Sequence, residues 1–442
     1  MYERHSRRLG SQGNGHVDGI GESPCTRGEH ISLKTAQWFL LSGLLILFLF
    51  KGLQPAFSQI GTDFANYYTA SWIAVHDRGE TIRLYDPSWF ALKARELGEA
   101  QGGIFRPFPP PTALLMIPLT AFSMGVAKDI WTVMNVLILA ALVILFRSFC
   151  KGNLPAAAII LLGTGWGVVN DVYLGQVYLL ILLCLALSIY LFVRGRDIMA
   201  GLLAGLFVPV KYFPFCLVVL FLIEKRWRAA WSALAAAAFV ILASIFVLGW
   251  NLHAEFLTSV FASHMDGQMA NPFALSYQSW NSLLRTLFIK DQFLNPNPLV
   301  DWVDGFSAVR LLIMVAVVST LVVAIRRDLV SAPGVGSRLA LLFVATLLLS
   351  PASASYHMLI LALPAAAIWP ELWNDSNRRT SMILSVSYLL LGLIPVAALE
   401  HLSLEGGWRL LGYPRLFLLM VIFLSLVRLV AARRQHTVPE AV

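Results

Sequence analysis

The residues of this sequence that are best suited to chemistry lie in polar segments that separate long apolar stretches. The first such segment reads GTDFANYYTASW over residues 61–72 and places Asp63 at the predicted start of a helix. A carboxylate in that position could serve as a general base that accepts a proton from a hydroxyl group. It could equally be a structural residue favoured by the helix dipole, with Thr62 as the N-cap. These residues alone leave both interpretations open.

Cations are contributed by three later segments. Lys211 lies among prolines in an otherwise apolar stretch, and Arg106 precedes the proline-rich turn at residues 107–111. His357 ends the segment SPASASYH at residues 350–357. A charged side chain at membrane depth is costly, so Lys211 is a candidate functional residue by default. Cations of this kind would bind a phosphate group. A loop-end residue such as His357 could instead satisfy backbone groups.

Side chains at other loop ends are suited to bind the hydroxyl groups of a sugar or of an acceptor. They are Tyr67 in the first segment, Asp171 and Gln176 in the segment NDVYLGQ, and Asn281 in a later loop. Polar residues at loop ends often only satisfy the backbone, so for Asp171 that alternative stays open. The four cysteines show neither metal-ligand spacing nor a pairing pattern, and we expect no metal site and no cofactor.

The elements that must position these residues can be predicted from composition. Of the 442 residues, 58% are hydrophobic and only 13% are charged, and the mean hydropathy is +0.71. Soluble domains have about 45–50% apolar and about 25% charged residues. The apolar residues form long blocks, such as 131–146 and 177–193, and a span needs roughly 20 such residues. The chain is therefore predicted to be an all-α polytopic membrane protein.

The net charge of +8 does not indicate a nucleic-acid partner, because the basic residues lie mostly in short loops between the apolar blocks. Such residues favour the cytoplasmic side of a membrane. They predict a protein of the cell inner (plasma) membrane with about twelve crossings and both termini in the cytoplasm. We expect a disordered cytoplasmic tail at residues 1–34, a single transmembrane domain at 35–431 and a second cytoplasmic tail at 432–442.

Two segments of the first outer loop are predicted to lie at the membrane interface. In residues 61–72, Phe64, Tyr68 and Trp72 recur at every fourth position and form one helical stripe. Aromatic side chains at this depth are expected to anchor a helix in the interface. Residues 112–124 are apolar but short, and we expect a helix that lies in the outer interface or re-enters the membrane.

The stretch 197–223 has basic residues at both ends, with Arg194 and Arg196 before it and Lys225 after it. A single straight helix would place those flanks on opposite sides of the membrane. Two short helices that meet near Lys211 would return the chain to the cytoplasmic side, because the prolines around Lys211 interrupt helices. All of the candidate residues then share the extracytoplasmic face.

The order and spacing of several short motifs resemble glycosyltransferase family 87. The motifs are DF, YY and A at 63–70, LYDP at 84–87, FPP, ALL and PL at 108–119, W and N at 131 and 135, GQ at 175–176, AGLLAGL at 200–206 followed by a lysine and a proline, NSL at 281–283, and SP with YH at 350–357. The resemblance covers roughly residues 38–430. Two motifs depart from the family pattern: FRPFPP replaces the usual YPP, and SYHM replaces an aromatic-rich HY. Both departures could alter which donor or acceptor fits.

The resemblance implies a GT-C-like helical bundle and a function similar to that of mannosyltransferases that use polyprenol-phosphate-mannose. Such a protein moves a hexose, here expected to be mannose, from a polyprenyl-phosphate sugar to a lipid or glycan acceptor with inversion. Asp63 matches the family's acidic residue in the first outer loop and is expected to be the catalytic base. Lys211 matches the family's lysine near a proline and is expected, with Arg106 and His357, to bind the donor phosphate. The residues expected to bind the sugar or the acceptor are Tyr67, Asp171, Gln176 and Asn281.

Two other classes of protein also fit part of the pattern. A transporter or flippase for a polar lipid or solute would explain Lys211 and the polar outer corners equally well. It would not need a carboxylate on an interfacial helix, and it would usually carry discontinuous helices in two related halves. A non-catalytic assembly subunit predicts nothing about Asp63.

Overall fold

The computed structural model describes residues 24–267, 271–331, 334–372, 378–400 and 405–433, and in these ranges helices are joined by turns and short connecting segments. The extended pairing within those ranges is an isolated bridge between Asp291 and Asn295. The prediction of a helical protein is confirmed. The predicted tails fall largely on residues 1–23 and 434–442, which lie outside the described residues. The first helix already begins at Pro24, inside the segment expected to be a disordered tail.

The helices are numbered in chain order. The first ten are α1 (Pro24–Phe48), α2 (Gln54–Ser58), α3 (Thr62–His76), α4 (Pro87–Glu96), α5 (Met124–Phe149), α6 (Leu154–Leu162), α7 (Trp166–Leu174), α8 (Tyr178–Val193), α9 (Asp197–Gly205) and α10 (Phe215–Ile223). The others are α11 (Trp227–Leu248), α12 (Trp250–Glu255), α13 (Phe261–Met265), α14 (Trp280–Phe288), α15 (Val303–Ser331), α16 (Val335–Leu349), α17 (Ala362–Leu372), α18 (Arg378–Leu393), α19 (Val396–Leu399) and α20 (Pro414–Arg433).

Several of these helices are suited to cross a membrane. Among the described residues, 5 segments are long and apolar enough, namely Thr35–His76, α5, α11, and the parts of α15 and α20 at Val303–Val330 and Pro414–Ala432. The bent pair of α6 and α7 would make up to 6, and α8 and α16 are shorter apolar helices. The chain is therefore a membrane-embedded helical protein, and the count of about twelve crossings stays a prediction.

The apolar stretch 154–169, whose length predicts one continuous span, is divided between two helices, α6 and α7, which meet at an angle of 68°. Gly165 lies at the bend with a φ of 52°, and a Cβ there would lie 2.3 Å from the carbonyl oxygen of Gly392 in α18. The close backbone of α18 and the positive φ both require glycine at this point. The bend lets α7 continue to Leu174, where its C-terminal end lies beside the start of α3.

The predicted pair of short helices around Lys211 is confirmed, since α9 ends at Gly205 and α10 begins at Phe215. Arg226, which precedes α11, donates from Nε to Oδ2 of Asp197 at the start of α9 over 2.9 Å. This ion pair closes the open end of the hairpin, so α9 and α11 start at the same side of the molecule. A Cβ on Gly205 would lie 2.1 Å from the Ala233 carbonyl oxygen, because α9 packs directly on the backbone of α11.

The two segments predicted to lie at the membrane interface differ from expectation. Phe64 and Tyr68 are buried inside the protein, and the Tyr68 hydroxyl donates to the Phe122 carbonyl oxygen over 2.6 Å. These two residues of the aromatic stripe therefore pack in the protein core, and the location of α3 at the membrane interface stays a prediction. Residues 112–124 form no α-helix before Met124. They belong to two 3-10 turns, Pro110–Leu114 and Ile117–Ala121, because their prolines lack the amide donors that an α-helix needs.

Candidate active site

A single cavity of about 650 Å³ brings together residues from distant parts of the chain. Its walls come from the start of α3 with the turn after α4, from the start of α8, from the connection between α9 and α10, from α11 to α13, from Tyr277 before α14, and from the segment before α17. Four of the predicted site residues line it: Asp63, Arg106, Lys211 and His357. The expected grouping of a carboxylate with three cation-forming side chains is thus present in one cavity.

Asp63 is held by the way α3 begins. The N-cap of α3 is Gly61, which has no side chain to cap with, so the interpretation of Thr62 as the N-cap is wrong. Gly61 has a φ of 78°, and a Cβ there would lie 2.8 Å from the carbonyl oxygen of Tyr173 at the end of α7. This close contact docks the start of α3 against α7. Asp63 follows in the first turn and remains partly accessible from the cavity.

The corner between α7 and α8 packs against the start of α3, next to Asp63. Gly175 at this corner has a φ of 72°, and a Cβ there would lie 2.5 Å from Cβ of Phe64 and 2.9 Å from Nζ of Lys128. The backbone of the corner is therefore in direct contact with α3 and α5, which only glycine permits. Asp63 and the residues that follow Gly175 are placed side by side as a result.

The Lys211 ammonium is surrounded by aromatic rings. Its Nζ lies 4.6 Å from the ring centroid of Phe108, 5.3 Å from that of Tyr178 and 5.7 Å from that of Tyr67. The nearby carboxylates with which it interacts electrostatically are Asp63 and Asp171. Within the described residues the ammonium has no hydrogen bond and no salt bridge. Its hydrogen-bonding capacity is therefore available to a ligand in the cavity.

His357 presents one ring nitrogen to the backbone. Its Nδ1 accepts a hydrogen bond from the Ala354 amide over 3.0 Å, which places the proton of the neutral ring on Nε2. Burial, with repulsion from Lys211, holds the pKa of His357 well below its ordinary value. His357 is thus neutral and not a cation, and its ring has a further hydrogen bond to the backbone of Ala352. Arg106 is a further charged side chain that lines the cavity, and its Nη2 lies 3.9 Å from Oε1 of Glu255 at the end of α12.

Four predicted site residues do not line the cavity: Tyr67, Asp171, Gln176 and Asn281. All four are buried within the protein. Oδ1 of Asp171 accepts from the Tyr178 amide over 3.0 Å at the start of α8, and Nδ2 of Asn281 donates to the Asp266 carbonyl oxygen over 3.2 Å. Tyr67 and Gln176 are hydrogen-bonded to each other over 2.5 Å. Direct binding of sugar by these side chains stays a prediction, and this geometry gives it no support.

The sequence interpretation missed two charged or titratable residues near Asp63 and Lys211. Lys128 is buried and donates from Nζ to the carbonyl oxygens of Val172 and Tyr173 over 3.0 Å each, and it interacts electrostatically with Asp63. The signal was a lysine at the start of an apolar helix, but the predicted helix began only at residue 131. His264 lines the cavity from α13, and burial lowers its pKa to about 4.

No three His, Cys, Asp or Glu side chains in the described ranges are close enough to hold a metal ion. The expectation that the site needs no metal remains a prediction.

Comparison with known proteins supports the resemblance in the motifs. The sequence profile of glycosyltransferase family 87 matches residues 107–351, which is more than half of the 442 residues. The chain belongs to glycosyltransferase family 87. This glycosyltransferase is therefore a membrane enzyme, and the transporter and assembly-subunit alternatives lose their support. The matched region contains Lys211 and begins after Asp63 and Arg106. No curated protein and no solved structure matches the chain.

Proposed function

We propose that this enzyme transfers a hexose, most simply mannose, from a polyprenyl-phosphate sugar to a lipid or glycan acceptor with inversion at the anomeric carbon. The reaction takes place on the extracytoplasmic face of a GT-C-like bundle with about twelve crossings and both termini in the cytoplasm. One observation carries the proposal: Asp63 and Lys211 line the same cavity in a glycosyltransferase, although they are far apart in the sequence.

In the proposed reaction, the acceptor hydroxyl attacks the anomeric carbon of the donor sugar. A new C–O bond forms while the bond from that carbon to the phosphate oxygen breaks, and the electron pair leaves with the lipid phosphate. Asp63 accepts the proton of the hydroxyl. General-base catalysis of this kind raises the rate by about 100- to 10,000-fold. Lys211 and Arg106 offset the negative charge of the phosphate, and the neutral His357 ring lies beside them on the cavity wall.

The rest of the cavity wall supports a donor that is a lipid. Ile241 and Ile245 of α11 and Leu257 line one side. On the same helix, Leu242 and Phe246 are 64% and 92% exposed, as expected for a helix that faces hydrocarbon. The apolar wall is therefore continuous with the surface that faces the membrane, and a polyprenyl chain can lie along it while its phosphate reaches Lys211.

Polar side chains at the cavity wall are available for the sugar and the acceptor. Asn66 lines the cavity, and its Oδ1 accepts from the Ile104 amide over 2.9 Å, which leaves its Nδ2 to donate to a ligand. Tyr277 also lines the cavity and interacts electrostatically with Asp63. Asn66 and Tyr277 are thus proposed to contact the sugar or the acceptor from the cavity wall, which Tyr67, Asp171, Gln176 and Asn281 do not line.

The experiment is a transfer assay with purified protein in detergent or vesicles. Polyprenyl phosphates that carry radiolabelled mannose or another hexose are incubated with the protein and a crude lipid extract, and nucleotide sugars serve as the comparison. We expect a labelled product from a lipid-phosphate sugar, with inverted anomeric configuration by NMR. Transfer from a nucleotide sugar with none from any lipid-phosphate sugar would overturn the proposal.

A further inference from the structure

The side chain of Gln176 is fully buried, and only one of its two ends has a partner. Its Oε1 accepts from the Tyr67 hydroxyl over 2.5 Å. Its Nε2 has no hydrogen bond of normal geometry to any described residue. A buried amide nitrogen without a partner costs free energy, so its retention calls for an explanation.

The backbone of Gln176 leaves the side chain little freedom. The carbonyl oxygen of Gln176 accepts from Nε1 of Trp131 over 3.2 Å, and the amide of Gln176 donates to the carbonyl oxygen of Asp171 over 2.8 Å. Both ends of the peptide unit are thus fixed to neighbouring elements. The remaining question is which end of the carboxamide faces which neighbour.

The second neighbour of the carboxamide is Asp63, whose carboxylate interacts with the Gln176 side chain. If the carboxamide were reversed, Oε1 would face the carboxylate and two acceptors would repel each other. With Tyr67 donating to Oε1, the NH₂ group is instead directed to Asp63. The hydrogen bond from the Tyr67 hydroxyl to Oε1 is compatible with the orientation in which Gln176 can donate to an ionised Asp63.

We infer that Gln176 is a positioning residue for Asp63: its Nε2 faces the carboxylate and donates to the ionised form, while Tyr67, bound to Oε1, keeps the amide in that orientation. The inference rests on the proposed function, in which Asp63 is the base. It also gives Tyr67 and Gln176 a different role from sugar binding. An ionised and oriented carboxylate is the form that can accept a proton from the acceptor hydroxyl.

Other groups also influence Asp63 and must stay constant in the test. Those that interact with it electrostatically come from α3, α5, the connection between α9 and α10, the segment before α14 and the segment before α17. They are Tyr67, Lys128, Lys211, Tyr277 and Tyr356, and Asp171 lies among the same cations. Gln176→Leu leaves all of them in place, so a change in the titration of Asp63 reports the lost amide.

The test measures the protonation of Asp63 directly and needs no sugar transfer. Dicyclohexylcarbodiimide adds to a protonated carboxyl group, and the adduct rearranges to a stable N-acylurea that mass spectrometry locates in the Asp63 peptide. The pH at which labelling is half-maximal is compared for the wild type, Gln176→Leu, Tyr67→Phe and Asn281→Leu. The last variant removes a buried amide that hydrogen-bonds to Asp266 and serves as the matched control.

In Gln176→Leu the ionised form loses a hydrogen bond, so half-maximal labelling should move to higher pH by about one unit. Tyr67→Phe should move it in the same direction by less, because the amide can then rotate, and Asn281→Leu should leave it unchanged. An equal midpoint in the wild type and in both Gln176→Leu and Tyr67→Phe would overturn the inference. If Gln176→Leu does not fold, an unchanged midpoint in Tyr67→Phe overturns it alone.

Two other readings predict different results. A purely structural role lowers the thermal midpoint of unfolding and leaves the labelling midpoint unchanged. A sugar-binding role raises the KM for the donor or the acceptor and likewise leaves labelling unchanged. Absence of transfer by the wild type from every donor would reject the proposed function, while the labelling result would still decide whether Gln176 acts on Asp63.

Discussion

Replacing Lys211 by methionine separates the function of the ammonium group from its effect on stability. Methionine keeps the length and the apolar stem of the side chain inside the ring formed by Tyr67, Phe108 and Tyr178. It removes the charge alone. We expect Lys211→Met to bind the lipid-phosphate donor more weakly and to fold as well as the wild type or better.

The magnitudes follow from the contacts. A hydrogen bond to a charged group is worth about 1.5–3 kcal/mol, and each 1.4 kcal/mol is tenfold in affinity, so donor binding should weaken by about 10- to 100-fold. For folding, the loss of three cation–π contacts costs about 0.5–2 kcal/mol each. Relief from burying an ammonium that has no salt bridge within the described residues offsets that loss, because its desolvation costs several kcal/mol.

The assay is a titration of the purified protein with a polyprenyl-phosphate sugar, together with thermal unfolding in the same detergent. The matched control is Lys93→Met, which also removes a lysine close to an aromatic ring. Nζ of Lys93 lies 4.8 Å from the Trp72 ring and pairs with Asp77 over 2.7 Å, away from the cavity. Donor affinity should be unchanged in the control. Unchanged donor affinity in Lys211→Met, or a loss of affinity that merely follows a loss of stability, would refute the reasoning.

Three further outcomes are expected. Gly175→Ala should destabilise the protein by at least about 1–2 kcal/mol from its left-handed backbone alone, and thermal unfolding should show no comparable loss for Gly79→Ala, where a Cβ meets nothing within 4 Å. The pKa of His264 is lowered from 6.5 to about 4, so between these values the unfolded chain binds one more proton and stability falls as the pH drops. The thermal midpoint of unfolding should therefore fall less steeply with decreasing pH in His264→Asn. Single cysteines at the exposed positions Glu96 and Arg228, in a background without other cysteines, test the topology with an impermeant thiol reagent. A cysteine at 96 should react in intact cells and a cysteine at 228 only after permeabilisation, and the reverse would contradict the topology.

The helical class of the protein and the hairpin around Lys211 could be predicted because each follows from local sequence. Long apolar blocks require membrane helices, and prolines between basic flanks require a break. The bend at Gly165 could not be predicted in this way. It depends on the approach of Gly392, which is more than 200 residues away in the sequence, and the apolar run at 154–169 resembles a continuous span despite its three glycines.

The site was predictable to the extent that charge at membrane depth is informative. Lys211 was found because a charge at membrane depth is costly. Asp63, Arg106 and His357 were found because they lie in polar segments between apolar stretches, and all four residues line one cavity. The same criterion cannot separate a side chain that faces a cavity from one that satisfies the backbone behind it. Asp171 is of the second kind, because it accepts from the first amide of α8.

The central claim is that Asp63 is the base for transfer from a lipid-phosphate sugar, and Asp63→Asn tests it most directly. Because Gly61 is the N-cap, asparagine at 63 removes no cap, and its loss of favourable dipole interaction is only about 0.3–1 kcal/mol. The control is Glu80→Gln, an exposed acid that pairs with Arg83 over 3.3 Å. We expect Asp63→Asn to fold, to bind the donor as the wild type does and to transfer sugar at least about 100-fold more slowly. The control, Glu80→Gln, should be fully active. Transfer by Asp63→Asn at close to the wild-type rate would contradict it.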